Sequence, residues 1–150
     1  MFFNNLEYSY VWTDNLPANI FKDEYAISGQ TSCLLNEQFP YSPTFNIQLK
    51  ELEDGFTVSK VIVSVWLRSD SLDVLPALII EFRDSIRNVL NVESKQLTIS
   101  ALNKGEWAKY VHEFKVDSAF AQNKENYIRT FCMNAAKNTV FCDDMLIKME

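Results

Sequence analysis

Residues 57–69 read TVSKVIVSVWLRS. In an extended chain successive side chains point to opposite faces, so Val61, Val63, Val65 and Leu67 share one side and Ile62, Ser64, Trp66 and Arg68 share the other. β-Branched and aromatic residues suit a pleated, half-buried surface. The valine side is therefore the core side of a strand, and the opposite side carries an aromatic plane beside a cation.

Working outward, the same period recurs. After a polar connection at 70–76, residues 77–85 place Leu78, Ile80 and Phe82 on one face and Ile79, Glu81 and Arg83 on the other. Upstream, 44–52 alternates Phe45, Ile47 and Leu49 against Asn46, Gln48 and Lys50. Downstream, 107–116 sets Tyr110, Phe114 and Val116 inward and Lys109, Val111 and Glu113 outward, and 89–99 reads as one longer strand or two shorter ones turned at Glu93-Ser94. Residues 1–11 suggest an edge strand, 12–23 a loop around Pro17 that carries Trp12, and 24–39 a hairpin divided by Gly29. No long segment shows a helical period, and 118–123 has room for one helical turn. Many short strands with turn signals between them and no internal repeat describe an all-β, two-sheet antiparallel sandwich in a single domain spanning 1–150.

Composition narrows the function. Fourteen Lys and Arg stand against twenty Asp and Glu, a formal net charge of −6, and no basic cluster marks the sequence. Nucleic-acid affinity rests on phosphate neutralisation, so no nucleic-acid partner is expected. No apolar stretch is long enough for membrane insertion, and Met1-Phe2-Phe3 has neither the basic start nor the apolar run of a signal peptide.

Two features of residues 132–147 need an explanation. Adjacent acids, Asp143 and Asp144, stand inside an apolar strand, where a carboxylate is costly unless hydrogen-bonded, paired or bound to a cation. Alternation sets Asp143 with Phe141, Met145 and Ile147 near the core and Asp144 on the other face. Cys33, Cys132 and Cys142 have no metal-ligand spacing and read as small buried side chains. A hairpin turning at Lys137 would instead bring Cys132 opposite Cys142, where a cross-strand disulfide is conceivable.

Four segments in order, ISGQTSCL at 27–34, VSKVIVSVWLRSDS at 58–71, GEWAKYVHEFKV at 105–116 and VFCDDM at 140–145, resemble jelly-roll carbohydrate-binding modules of the galactose-binding-like type. The resemblance covers about Asn5 to Lys148. It implies a jelly-roll β-sandwich, a polysaccharide or oligosaccharide ligand, an extracellular or cell-surface setting and neighbouring domains in a larger chain. It also implies a structural calcium ion held by Asp143 or Asp144 with main-chain oxygens at Gly29 or Gln30 and with Glu7.

A sugar offers an apolar ring face and a rim of hydroxyls, so its site needs an aromatic plane flanked by hydrogen-bonding groups. Trp66 and Arg68 with Glu81 and Arg83, taken as neighbours on one concave sheet face, meet that requirement. An ordinary solvated face with cross-strand ion pairs is the plainer reading of the same residues, as is a core-closing role for Trp107. Trp12, Tyr41 and Phe120 offer a loop edge as an alternative ligand surface. Catalysis is not expected. The single histidine, His112, lies beside Tyr110 and Phe114, no nucleophile motif is present, and Asp143 and Asp144 diverge too far to flank a glycosidic bond. The competing class is a structural or protein-interaction β-sandwich that binds no sugar.

Overall fold

Val61, Val63 and Val65 are completely buried and Leu67 is 1% exposed. They lie on β5 (Lys60–Arg68), the central strand of one sheet, and face Leu78, Ile80 and Phe82 of β6 (Ala77–Arg83) in the other. Burying each such side chain contributes about 1.5–3 kcal/mol, so this inner layer dominates the stability of the fold.

The computed structural model describes residues 1–4, 20–22, 26–72, 76–98 and 104–150. Glu7 and Trp12 lie outside the described residues. The remaining strands are β1 (Phe2–Asn4), β2 (Ile20–Lys22), β3 (Thr31–Leu35), β4 (Phe45–Gln48), β7 (Val89–Gln96), β8 (Ala108–Lys115), β9 (Tyr127–Met133) and β10 (Val140–Met149). A six-stranded sheet runs β2-β3-β10-β5-β8, with β1 also paired to β10, and a four-stranded sheet runs β4-β9-β6-β7. Every pairing is antiparallel. The expected all-β, two-sheet sandwich is the observed architecture. Its short helix α1 (Ser118–Gln122) is capped by Asp117, whose carboxylate accepts the N–H groups of Ala119 and Phe120.

Apart from the β6–β7 hairpin and the β2–β3 pair, each connection between β3 and β10 carries the chain from one sheet to the other. That routing overturns several expectations. β5 and β6 are consecutive in sequence but belong to different sheets, so Trp66 and Arg68 do not share a face with Glu81 and Arg83. β9 and β10 are likewise in different sheets and form no hairpin. Cys142 pairs across to β3 with Cys33, not with Cys132, and all three are buried thiols outside any disulfide. Within the segment expected as one longer strand or two shorter ones, β7 is a single strand, Val89–Gln96, that runs straight through Glu93-Ser94. The 44–52 alternation ends at Gln48, where a 3-10 turn, Leu49–Glu51, begins with a capping box from Glu51 to the Gln48 N–H.

Candidate functional site

On the outer face of the six-stranded sheet, Trp66 sits between Asp143 of β10 and Lys109 of β8 and is half-buried. Arg68 donates from Nε to the Gly105 carbonyl at 2.8 Å and stands 4.0 Å from the Asp70 carboxylate. It fastens the turn before β8. Gly105 has a φ of 75° there, and a Cβ at that position would come within 3.1 Å of Asp70 Oδ1.

Asp143 is only 1% exposed, yet it faces outward beside Trp66 rather than inward with Met145 and Ile147. A β-bulge between Asp143 and Leu146, with Asp144 at a φ of 46°, inserts an extra residue and switches the phase of the strand. Phe141 and Asp143 therefore share the outer side, and Cys142, Met145 and Ile147 point to the core. Asp143 is covered by the 26–30 turn. Its Oδ2 accepts the N–H of Ile27 at 2.9 Å and of Ser28 at 3.5 Å, and Oδ1 accepts the N–H of Asp144 at 2.7 Å. The Ser28 hydroxyl donates to Asp144. Desolvation pushes the Asp143 carboxyl up to about 7 despite these three donors.

The turn at Gly29 and the acids of β10 thus meet, as the resemblance implies for a calcium site. Three N–H donors leave Asp143 roughly one of its four lone-pair positions. Among the described residues no group of three or more His, Cys, Asp or Glu side chains gathers here or elsewhere.

The outer face of the four-stranded sheet is built differently. Pairing of β9 with β6 sets Tyr127 across from Arg83, Arg129 across from Glu81, Phe131 across from Ile79 and Met133 across from Ala77. β4 adds Asn46 beside Arg129, and β7 adds Val92 beside Glu81. One end of this face is apolar, because Ala77, Ile79 and Phe131 form a cluster of their own with Met133 against it. Tyr41, 54% exposed, bridges to Met133 and stands edge-on to Phe131 with ring centroids 5.6 Å apart. The other end is charged. Glu81 Oε2 lies 2.6 Å from Arg83 Nη2 and 3.3 Å from Arg129 Nη1, and the Arg129 guanidinium stacks 5.1 Å from the Phe131 centroid. Arg87 lies over Tyr127 at 5.4 Å.

Of the four residues chosen from sequence, Glu81 and Arg83 belong to this face and Trp66 and Arg68 to the opposite one. Tyr127, Arg129 and Phe131 were missed. Their alternation is visible in residues 127–133, but only pairing with β6 shows that they continue the Glu81 face.

The loop aromatics also separate. Tyr41 lies on this face, whereas Phe120 packs edge-on to Phe82, centroids 5.2 Å apart, beside a cavity of about 690 Å³ between β7 and α1. His112 meets Phe114 at 4.7 Å on the inward side of β8.

No protein-family model and no curated protein matches the sequence. Solved structures match the fold. The CBM22-2 xylan-binding domain of Paenibacillus barcinonensis Xyn10C is 18% identical, with a TM-score of 0.61 over 99% of both chains. The CBM22-1–GH10 modules of Clostridium thermocellum xylanase 10B, in complex with xylohexaose, match at 15% identity and a TM-score of 0.56, over 88% of this chain and 24% of that one. A family 16 carbohydrate-binding module matches at 12% identity and 0.52, over 86% and 83%. In the first structure of the comparison, an arabinofuranosidase, the chain spans only 21% of the length. The protein therefore has the jelly-roll β-sandwich fold of carbohydrate-binding modules.

Proposed function

We propose that the protein is a non-catalytic carbohydrate-binding module whose glycan lies along the outer face of the four-stranded sheet. One observation carries this reading: aromatic rings and hydrogen-bonding side chains alternate over a single face, with Tyr41 and Phe131 at one end and Tyr127, Arg129, Glu81 and Arg83 at the other. Rings supply apolar planes for pyranose faces, and the guanidinium and carboxylate groups address hydroxyls. The fold shared with xylan-binding modules supports it. Glycoside hydrolysis needs two carboxyl groups flanking the bond, and of the two acids on the described positions of these four strands Glu81 points outward, already held by two arginines, whereas Glu93 stands opposite the inward-facing Ile80.

Such a module belongs at an extracellular or cell-surface site, beside other domains of a larger chain. Among the described residues no helix is long and apolar enough to cross a membrane. A structural calcium held by Asp143 or Asp144 with a main-chain oxygen at Gly29, and with Glu7 on the strength of the resemblance alone, is part of the same proposal. A buried carboxylate pushed toward neutrality gains from a cation, which would use main-chain oxygens beside the acids.

The test is isothermal titration with soluble xylan, galactan and mixed-linkage glucan. Saturable binding to at least one is expected; no binding to any would contradict the proposal. One observation favours a protein-contact reading instead, since Val89, Leu90 and Val92 are exposed on the edge strand β7. A dimer in sedimentation without glycan binding would favour that alternative.

A further inference from the structure

The chain contains four arginines, Arg68, Arg83, Arg87 and Arg129, and three of them surround Tyr127 on the proposed glycan face. Arg83 stands directly across from Tyr127, Arg129 is two residues along the same strand, and Arg87 lies over the ring. Two carboxylates stand among them: Glu81 binds Arg83 and Arg129 together, and Asp84, in the turn that carries Arg87, accepts the N–H groups of Ile86 and Asn88. Lys50 and Glu125, at the β4 end, pair with each other at 3.0 Å. A chain of net charge −6 thus gathers three of its four arginines at one end of its aromatic face.

The choice of arginine matters. A guanidinium offers five donors in a planar fork that matches a carboxylate in two parallel hydrogen bonds, and it stacks on aromatic rings without losing those donors. Stacking on Phe131 and Tyr127 restricts Arg129 and Arg87 before any ligand arrives, which lowers the ordering cost of binding. Neutral sugars need no cluster of guanidinium groups.

Resting on the glycan-binding reading, we propose that this face is specific for a polysaccharide carrying carboxylates, a uronic-acid-substituted glycan, with the neutral backbone along Phe131 and Tyr41 and the uronate at Arg87 and Arg129.

The experiment compares three probes by isothermal titration at low and high salt: glucuronoxylan, the same polymer with its carboxyl groups reduced to alcohols, and dextran sulfate. At low salt glucuronoxylan should bind about tenfold more tightly than its reduced form, the scale of one charge-assisted hydrogen bond. The gap should close in ~1 M salt, where the Debye length falls to about 3 Å. Arg129→Gln, and Arg87→Asn, which suits the positive φ of 69° at that position, should each bring glucuronoxylan toward the affinity of the reduced polymer. Equal binding of the two xylans would overturn the carboxylate specificity and leave glycan binding standing. Dextran sulfate binding as tightly as glucuronoxylan would overturn it in favour of charge alone. No binding of either xylan would overturn the carboxylate specificity, and glycan binding too if galactan and mixed-linkage glucan also fail to bind.

Discussion

Glu81 and Arg129 stand directly across from each other on β6 and β9, with Oε2 3.3 Å from Nη1, and the same oxygen holds Arg83 at 2.6 Å. The side chain of Glu81 is 14% exposed, so this triad is half-desolvated and its charges are weakly screened. Glu81→Gln leaves two neighbouring cations uncompensated. The expected result is a loss of about 1–3 kcal/mol of stability in urea denaturation with an unchanged m-value. Stability equal to that of the parent would show that the triad is only a solvated surface pair.

Tyr41 should separate binding from folding. Its ring is more than half exposed and leans on Phe131, so Tyr41→Ala removes a ligand-facing plane while leaving the inner core intact. Glycan affinity should fall by roughly 1 kcal/mol or more, with a stability change below ~1 kcal/mol. Calorimetric titration beside a thermal melt checks both. Unchanged affinity would remove Tyr41 from the site.

Asp143 makes stability depend on pH. Its folded value of about 7 lies above the ~3.9 of an unfolded aspartate, so between these values the folded state holds a proton that the unfolded state has lost. Stability from this group is fully present below about pH 4, declines as pH rises and levels off above pH 7. Asp143→Asn should flatten that slope in denaturation midpoints recorded from pH 4 to 8. Calcium acts oppositely because it binds the ionised acid, so at neutral pH it should raise the melting temperature relative to chelator. Identical melts with calcium and chelator would remove the cation.

Cys132 and Cys142 should not be bonded: they stand as separate buried thiols on strands of different sheets and not opposite each other in a hairpin. Cys142, held against Cys33 and away from water, has its thiol pushed well up, as burial does for Cys132. Both stay protonated and unreactive. A thiol count in denaturant without reductant should give all three cysteines free. A count of one would mean that a disulfide exists.

The faces of individual strands were legible in the sequence and their neighbours were not. Alternation placed Val61, Val63 and Val65 in the core, and it set Glu81 and Arg83 outward, because a period of two is a local property. Sheet membership depends on pairing between residues far apart in the chain, which alternation does not encode. Trp66 and Glu81 were joined because their strands are consecutive, but the chain changes sheets between them. The bulge at Asp143 and Asp144 was hidden for a related reason: an extra residue changes the parity of β10 without a distinctive sequence mark, apart from an aspartate that tolerates a positive φ.

The proposed glycan path runs along the four-stranded sheet and not the opposite face. The most direct measurement compares the xylan affinity of two alanine variants, Tyr127→Ala on β9 and Trp66→Ala on β5, each confirmed folded by circular dichroism. Tyr127→Ala should weaken binding about tenfold or more, the scale of one stacked ring, and Trp66→Ala should leave it within about twofold. Loss of binding with Trp66→Ala and retention with Tyr127→Ala would contradict that path.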